Sequence, residues 1–179
     1  MSKKLGRPTD QRLVVLYNQA SELLWYGKLT TTVDRAKEVR KIAEKMLTLG
    51  INTYEDKVTV TKQVRKEGAK AASNPEAPRA EKVTVEVTND GPKKLAARRK
   101  MMSVLAPIGE IQQEKEKKAA FKARIRDIKY PLIEKIFNEY APKYARRNAE
   151  NNQGGGYTRI IRTGARRGDG AEMCVIELV

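Results

Sequence analysis

Residues 154–179 admit few arrangements, and they constrain the rest of the chain. Gly154, Gly155 and Gly156 lead into Tyr157, Thr158, Arg159, Ile160, Ile161, Arg162 and Thr163, a run of the aromatic and β-branched residues that strands favour. A second run, Met173 to Val179, carries apolar residues on both alternations: Cys174, Ile176 and Leu178 against Met173, Val175 and Val179. That pattern predicts a strand inside a sheet, buried on both faces. Between the runs, Gly164 to Gly170 reads as a turn whose glycines permit positive φ and whose Arg166 and Arg167 have no place in a core. Four arginines and no acid fall between Arg159 and Arg167, and the planar guanidinium fork matches phosphate oxygens best of all side chains. The stretch is therefore expected to be a nucleic-acid contact surface fixed to a sheet.

The charge of the whole chain agrees. Its 179 residues carry a net charge of +15, spread along the sequence, which points to a polyanionic partner. With 40 % apolar residues there is enough for one core, though the 33 % of charged residues keeps it lean. No apolar run approaches the roughly 20 residues of a membrane span, and no segment has the apolar centre of a signal peptide, so a cytosolic protein without a membrane partner is expected. The single cysteine, Cys174, sits in the buried-strand pattern and agrees with a reducing compartment. The chain has no histidine, which removes the commonest general base and the commonest metal ligand. Phosphate-loop and dinucleotide fingerprints are absent too, so neither an enzyme nor a cofactor nor a small-molecule substrate is expected.

Along the chain, residues 1–8 read as a basic arm. Thr9 is positioned to cap a helix in which Leu13, Leu16, Tyr17, Ala20, Leu23 and Leu24 recur at helical spacing up to Gly27. Lys28 to Thr32 is a short extended piece. Thr31 and Asp34 have capping-box spacing at the head of a second helix, whose apolar face runs through Val33, Ala36, Val39, Ala43, Met46 and Leu47 as far as Gly50. In residues 51–94, Val58, Val60 and Val64, then Val83, Val85 and Val87, alternate with polar residues on either side of a loop from Glu67 to Ala80, which predicts an inserted two-stranded ribbon. A third helix follows from Lys93, with Leu95, Met102 and Leu105 on its apolar side. Glu110 to Asp127 has helix composition but few apolar positions. Pro131 opens a further helix with the stripe Leu132, Ile133, Ile136, Phe137 and Tyr140, ending before Pro142, and Tyr144 to Gln153 make a polar approach to the terminal strands. The fold expected is α+β and two-layer, helices packed on a small sheet: a basic arm over 1–8 and a single domain over 9–179, with residues 51–94 an inserted ribbon and 110–128 an inserted charged helix.

Lys4, Leu5, Gly6, Arg7, Gln11 and Arg12, the Thr30 to Thr32 run, Ala36, Lys37, Arg40, Glu44, Lys45, Met46, Thr48 and Leu49, and above all Gly155 to Ile160 and Arg167 to Val179, resemble the family of the seventeenth protein of the bacterial large ribosomal subunit. The resemblance covers about the first 50 residues, Ala96 to Lys100, and everything from about Leu132 onward. Residues 51–94 and 110–128 depart from the short form of that family. The resemblance implies a non-enzymatic structural constituent of the large subunit that supports translation in the cytoplasm, binding large-subunit ribosomal RNA near the rim of the exit tunnel beside neighbouring ribosomal proteins.

From the residues themselves comes the mode of contact: cations on phosphates, with Gly6 and Gly154 to Gly156 allowing close approach of the RNA backbone. The candidates are Lys3, Lys4, Arg7 and Arg12 in the arm; Arg35, Lys37 and Arg40 on the second helix; Lys93, Lys94, Arg98, Arg99 and Lys100 at the third; and Arg147, Gly155, Gly156, Tyr157, Thr158, Arg159, Arg162, Arg166 and Arg167 toward the terminal strands. Tyr157 either stacks on a base or caps the core, and a charged face such as that of the second helix is ordinarily just solvated. The Lys115 to Arg126 run mixes acids and bases at helical spacing, as a solvent-exposed helix does. Two other classes fit the composition: a nucleoid-type or general nucleic-acid-binding protein, and an assembly factor acting through protein partners.

Overall fold

In a computed structural model, which describes residues 4–65, 82–114, 116–126 and 128–179, the chain forms two antiparallel sheets and a layer of helices. Helix α1 (Thr9–Tyr26) ends at Gly27, whose φ of 80° lets its N–H reach back to Leu23 O at 2.8 Å. Strand β1 (Lys28–Thr32) leads directly into α2 (Val33–Ile51). Strands β2 (Lys57–Arg65) and β3 (Lys82–Asp90) pair with each other as a two-stranded ribbon. Then come α3 (Pro92–Val104), α4 (Lys118–Ile125), α5 (Pro131–Lys135), a π-helical turn (Ile136–Tyr140), α6 (Ala141–Asn151), β4 (Thr158–Ala165) and β5 (Glu172–Leu178). The main sheet has the order β1-β5-β4, so the Met173 to Val179 run does occupy its centre.

Among the described residues, the helices cover the main sheet on one face. Helix α2 touches β1, β4 and β5 as well as α1, α3, the π turn and α6, and its buried residues are the predicted Val33, Ala36, Val39, Ala43, Met46 and Leu47, with Gly50. Of β5, Cys174 and Ile176 are buried beneath the helices. Met173 and Val175 on the other alternation are half-buried and Ile161 is exposed, which corrects the expectation of burial on both faces: among the described residues no helix covers the outer side.

Several local expectations also change. The cap position of α1 is Pro8, with Thr9 already helical. Thr31 does not cap α2, because it is a buried residue of β1 paired with Cys174 and accepts a hydrogen bond from Gln19 Nε2 at 3.3 Å. On α3 the buried positions are Lys94, Ala97 and Met101, and Leu95 is exposed. Of the 110–128 stretch only Lys118–Ile125 is helical, with no buried residue, because propensity without an apolar stripe to dock leaves a helix little support. Arg124 there pairs with Glu110 and Glu116. The helix after Pro131 does not stop at Pro142. The π turn passes the Ala141 N–H to Ile136 O, five residues back, and the widened turn accommodates a ring that would otherwise crowd the Asn138 carbonyl. Continued into α6, it buries Tyr144, a residue read from sequence as part of a polar approach. The predicted loop of residues 67–80 lies outside the described residues.

Two polar devices fix the helices. Asp56 Oδ2 accepts from the backbone N–H groups of Lys93 (2.8 Å) and Lys94 (3.2 Å), capping α3 from the foot of the ribbon. Lys135 Nζ donates to Trp25 O at 2.8 Å, a carbonyl in the last turn of α1, and lies 5.2 Å and 5.6 Å from the Trp25 and Tyr140 ring centres.

Candidate nucleic-acid interface

Helix α2 and strand β4 frame a cleft of about 730 Å³ lined by Lys37, Arg40, Lys41 and Arg162 together with Asp34, Glu38 and Glu44. The helix supplies its cations at i, i+3 and i+4 spacing, and the pairing of β4 with β5 sets Arg162 opposite Cys174, on the helix side of the sheet. The acids take up part of the charge. Arg40 Nε lies 3.2 Å from Glu44 Oε1, and Lys41 Nζ lies 3.0 Å from Glu38 Oε1. Glu44 also accepts from Thr158 Oγ1 at 2.8 Å, which fastens β4 to the helix. Lys37 and Arg162 have no ion-pair partner among the described residues, so their charge is available.

A second cleft, of about 500 Å³, is lined by Leu5, Thr32, Val33, Asp34, Arg35, Ala171 and Glu172. Val33 and Asp34 line both clefts, so the two adjoin at the start of α2. This junction brings the arm, the start of α2 and the foot of the β4–β5 turn together. Exposed Lys4 and Arg7 flank Leu5, which turns with φ 55° and packs on the core, and Arg7 N donates to Lys4 O. Arg12, on the first turns of α1, is half-buried. Lys3 lies outside the described residues.

In the β4–β5 turn, Arg166 Nε and Nη2 bind Asp169 Oδ1 and Oδ2 at 2.9 and 2.6 Å. These hydrogen bonds, with one from Ala171 N, hold the Asp169 carboxyl well below the usual carboxylate range. Arg166 is therefore partly neutralised within its own turn, while Arg167 is exposed and has no such partner among the described residues. Arg159, on the uncovered face of the sheet, has Glu177 at 3.7 Å.

Five of the predicted residues serve the interior. Lys94 Nζ lies 2.8 Å from Asp90 Oδ1, Arg98 Nε lies 2.6 Å from Asp90 Oδ2, and Arg98 Nη1 lies 2.5 Å from Glu134 Oε1. Both cations sit over the Phe137 ring. Burial pushes the Asp90 carboxyl up, and the hydrogen bonds from Lys94 and Arg98 outweigh it, so the net shift is downward. Arg147 lies against the Tyr144 and Tyr157 rings and donates through Nη2 to Gly155 O (3.0 Å) and Gly156 O (3.2 Å). Tyr157 itself is buried, its ring 4.9 Å from that of Tyr144 and its hydroxyl 3.0 Å from the Asn148 amide, so it caps the core and has no face for a base. Thr158 is buried on Glu44.

The glycine loop remains open. Gly155 and Gly156 have φ of 96° and 61°, and a Cβ on Gly155 would meet nothing within 4 Å. On α3, Lys93, Arg99 and Lys100 are exposed, and Lys100 shares a third cleft with Lys45 and Thr48 of α2. Lys37, Lys41 and Lys45 thus form an i, i+4, i+8 row from the first cleft toward α3. Lys41 and Lys45 are absent from the sequence-based candidates, although their spacing from Lys37 was there to read. Among the described residues no group of His, Cys, Asp or Glu side chains could hold a metal, and no helix is long and apolar enough to cross a membrane.

Comparison with known proteins agrees with the resemblance. The family model described as "Ribosomal protein L17" matches residues 15–179. A large ribosomal subunit protein bL17 of Lachnospira eligens is 38 % identical over 185 residues, covering 99 % of this chain and 98 % of that protein. Proteins of the same name from Clostridium tetani and Acetivibrio thermocellus are 36 % and 34 % identical, again over 99 % of this chain and 96 % and 98 % of their own length.

Proposed function

The chain belongs to the ribosomal protein L17 family, structural and non-enzymatic constituents of the bacterial large subunit in the cytoplasmic ribosome, and from that premise we propose that it binds large-subunit ribosomal RNA through the basic surface of the arm, α2 and β4. The observation that carries this reading is the adjacency of the two clefts at Val33 and Asp34, which are lined by Arg35, Lys37, Arg40, Lys41 and Arg162, with exposed Lys4 and Arg7 close in the chain to the lining Leu5 and exposed Arg167 in the turn that ends at Ala171. Cations with free valence in a groove follow a phosphate backbone, and the open glycine loop lets that backbone come close. Recognition then rests on RNA shape, 2′-hydroxyls and phosphate spacing. The row Lys37, Lys41, Lys45 extends the track toward Lys93, Arg99 and Lys100. A place near the exit-tunnel rim belongs to the same proposal and rests on the family alone.

Agreement with large-subunit proteins along nearly the whole chain favours this reading over a nucleoid-type protein or an assembly factor. The test is fractionation of a lysate on a density gradient with quantitative mass spectrometry. One copy per large subunit, with ultraviolet crosslinks from the basic surface to its RNA, is the expected result. Migration with DNA, or a copy number well below one per particle, overturns it.

A further inference from the structure

The ribbon of β2 and β3 has two unlike faces. The cross-strand pairs Val60↔Val87 and Lys62↔Val85, with Val58 beside Asn89, place Val58, Val60, Val85 and Val87 on one side, and Thr59, Thr61, Thr84 and Thr88 fall on the other. Such alternation belongs to a sheet with one buried face. Among the described residues nothing covers it: Val58, Val60 and Val85 are 44, 39 and 41 % exposed, and each ribbon strand makes its contacts chiefly with the other. Three exposed valines and a half-buried Val87 along one side of a ribbon that is itself marginal in isolation call for a second surface.

Charge decides what that surface is. Residues 57–90 hold seven cations and five acids, so the +15 of the chain sits almost wholly elsewhere. The described part of the valine face presents one cation, Lys62, and an RNA helix seeking phosphate contacts finds little there. An apolar strip with few charges is instead the composition of the centre of a protein–protein interface. Along β2 the strip runs from Val58 to the Lys62↔Val85 pair, roughly 14 Å of strand.

We infer that the valine face of the ribbon is the docking surface for a neighbouring protein of the large subunit, one that offers an apolar patch. The inference rests on the ribosomal reading above and adds the surface through which that neighbour is held. The test places a photo-crosslinking amino acid at Val60, and in a second strain at Thr61 on the opposite face, and irradiates purified large subunits containing the full chain. Val60 is expected to give one discrete adduct with a large-subunit protein, identified by mass spectrometry. That adduct should be lost in the Thr61 strain and in subunits carrying Val58→Asp and Val85→Asp beside the Val60 probe. An RNA adduct from Val60, equal protein adducts from both faces, or no adduct in subunits that hold the chain at one copy overturns the inference while leaving the ribosomal reading intact. Absence of the chain from large subunits overturns both.

Discussion

The Arg166 guanidinium grips the Asp169 carboxylate with two parallel hydrogen bonds, so the most arginine-rich turn of the chain is half-silenced by an acid three residues away. A run that looks uniformly cationic up to Arg167 is therefore graded in the folded protein, with Arg167 fully available and Arg166 in competition. Phosphate has to displace a fitted carboxylate to recruit Arg166.

Replacing Asp169 with Asn should accordingly tighten RNA binding and steepen its salt dependence, by about 0.7 to 0.9 in log-log slope if Arg166 gains one phosphate. Conversely, Arg166→Ala with Arg167→Ala should weaken binding to all sequences alike and flatten the slope, Arg167 contributing the larger part. Filter binding across a salt series measures both, and an unchanged slope in the double variant removes the turn from the contact surface.

Lys37→Ala combined with Arg162→Ala should lose about two contacts' worth of salt slope with little change in thermal midpoint, because neither side chain is tied to the interior. Arg98→Ala is predicted to do the reverse. It leaves Asp90 and Glu134 without their shared partner, lowers stability by about 1–3 kcal/mol, and leaves the RNA affinity of the folded fraction unchanged. Thermal unfolding and binding measured on the same preparations separate the two classes.

Tyr144 supplies a pH test. Its hydroxyl is buried with no hydrogen-bond partner among the described residues, and burial pushes its pKa from 10.0 up to about 12. The folded pKa lies above the unfolded one, so the stability linked to this group is complete below pH 10 and is lost as pH rises toward 12. Tyr144→Phe should remove that alkaline loss and leave neutral-pH stability equal or higher, as read from denaturant midpoints at neutral and alkaline pH.

A side chain at Gly91 would have to displace the Asp56 carboxylate. A Cβ there would stand 2.3 Å from Asp56 Cγ, the carboxylate that caps α3. Gly91→Ala and Asp56→Ala should each destabilise α3, the latter by about 1 kcal/mol. For contrast, Ile176→Asp buries an unpaired charge in the central strand and should abolish folding, while Cys174→Ala should cost about 1 kcal/mol and nothing in RNA binding.

What the sequence revealed, and what it hid, divides along a physical line. Periodicity found α1, the buried face of α2 and the central place of β5, because each rests on which residues avoid water. It failed on α3, where two cations point inward: Asp90, Glu134 and the Phe137 ring come from distant parts of the chain, and no local pattern announces that Lys94 and Arg98 will find them. It failed at Pro142 for a similar reason, since a widened turn is a backbone solution with no compositional mark. The exposed cations of the candidate surface were legible as a set. Their separation from the structural ones, Lys94, Arg98 and Arg147, required the positions of the carboxylates, rings and carbonyls around them.

The pairing order of the main sheet also bears on how the chain is made. Among the described residues strand β1 pairs with β5 alone, so residues 28–32 must wait until residues 172–178 have been synthesised. At the usual pace of bacterial synthesis that interval is roughly ten to thirty seconds. During it α1 and α2 can already lie side by side, offering a bare apolar face and an unpaired strand edge to whatever surrounds the emerging chain. Vectorial synthesis thus leaves the sheet side of these helices unfinished until β5 emerges, and that strand is the one that closes it.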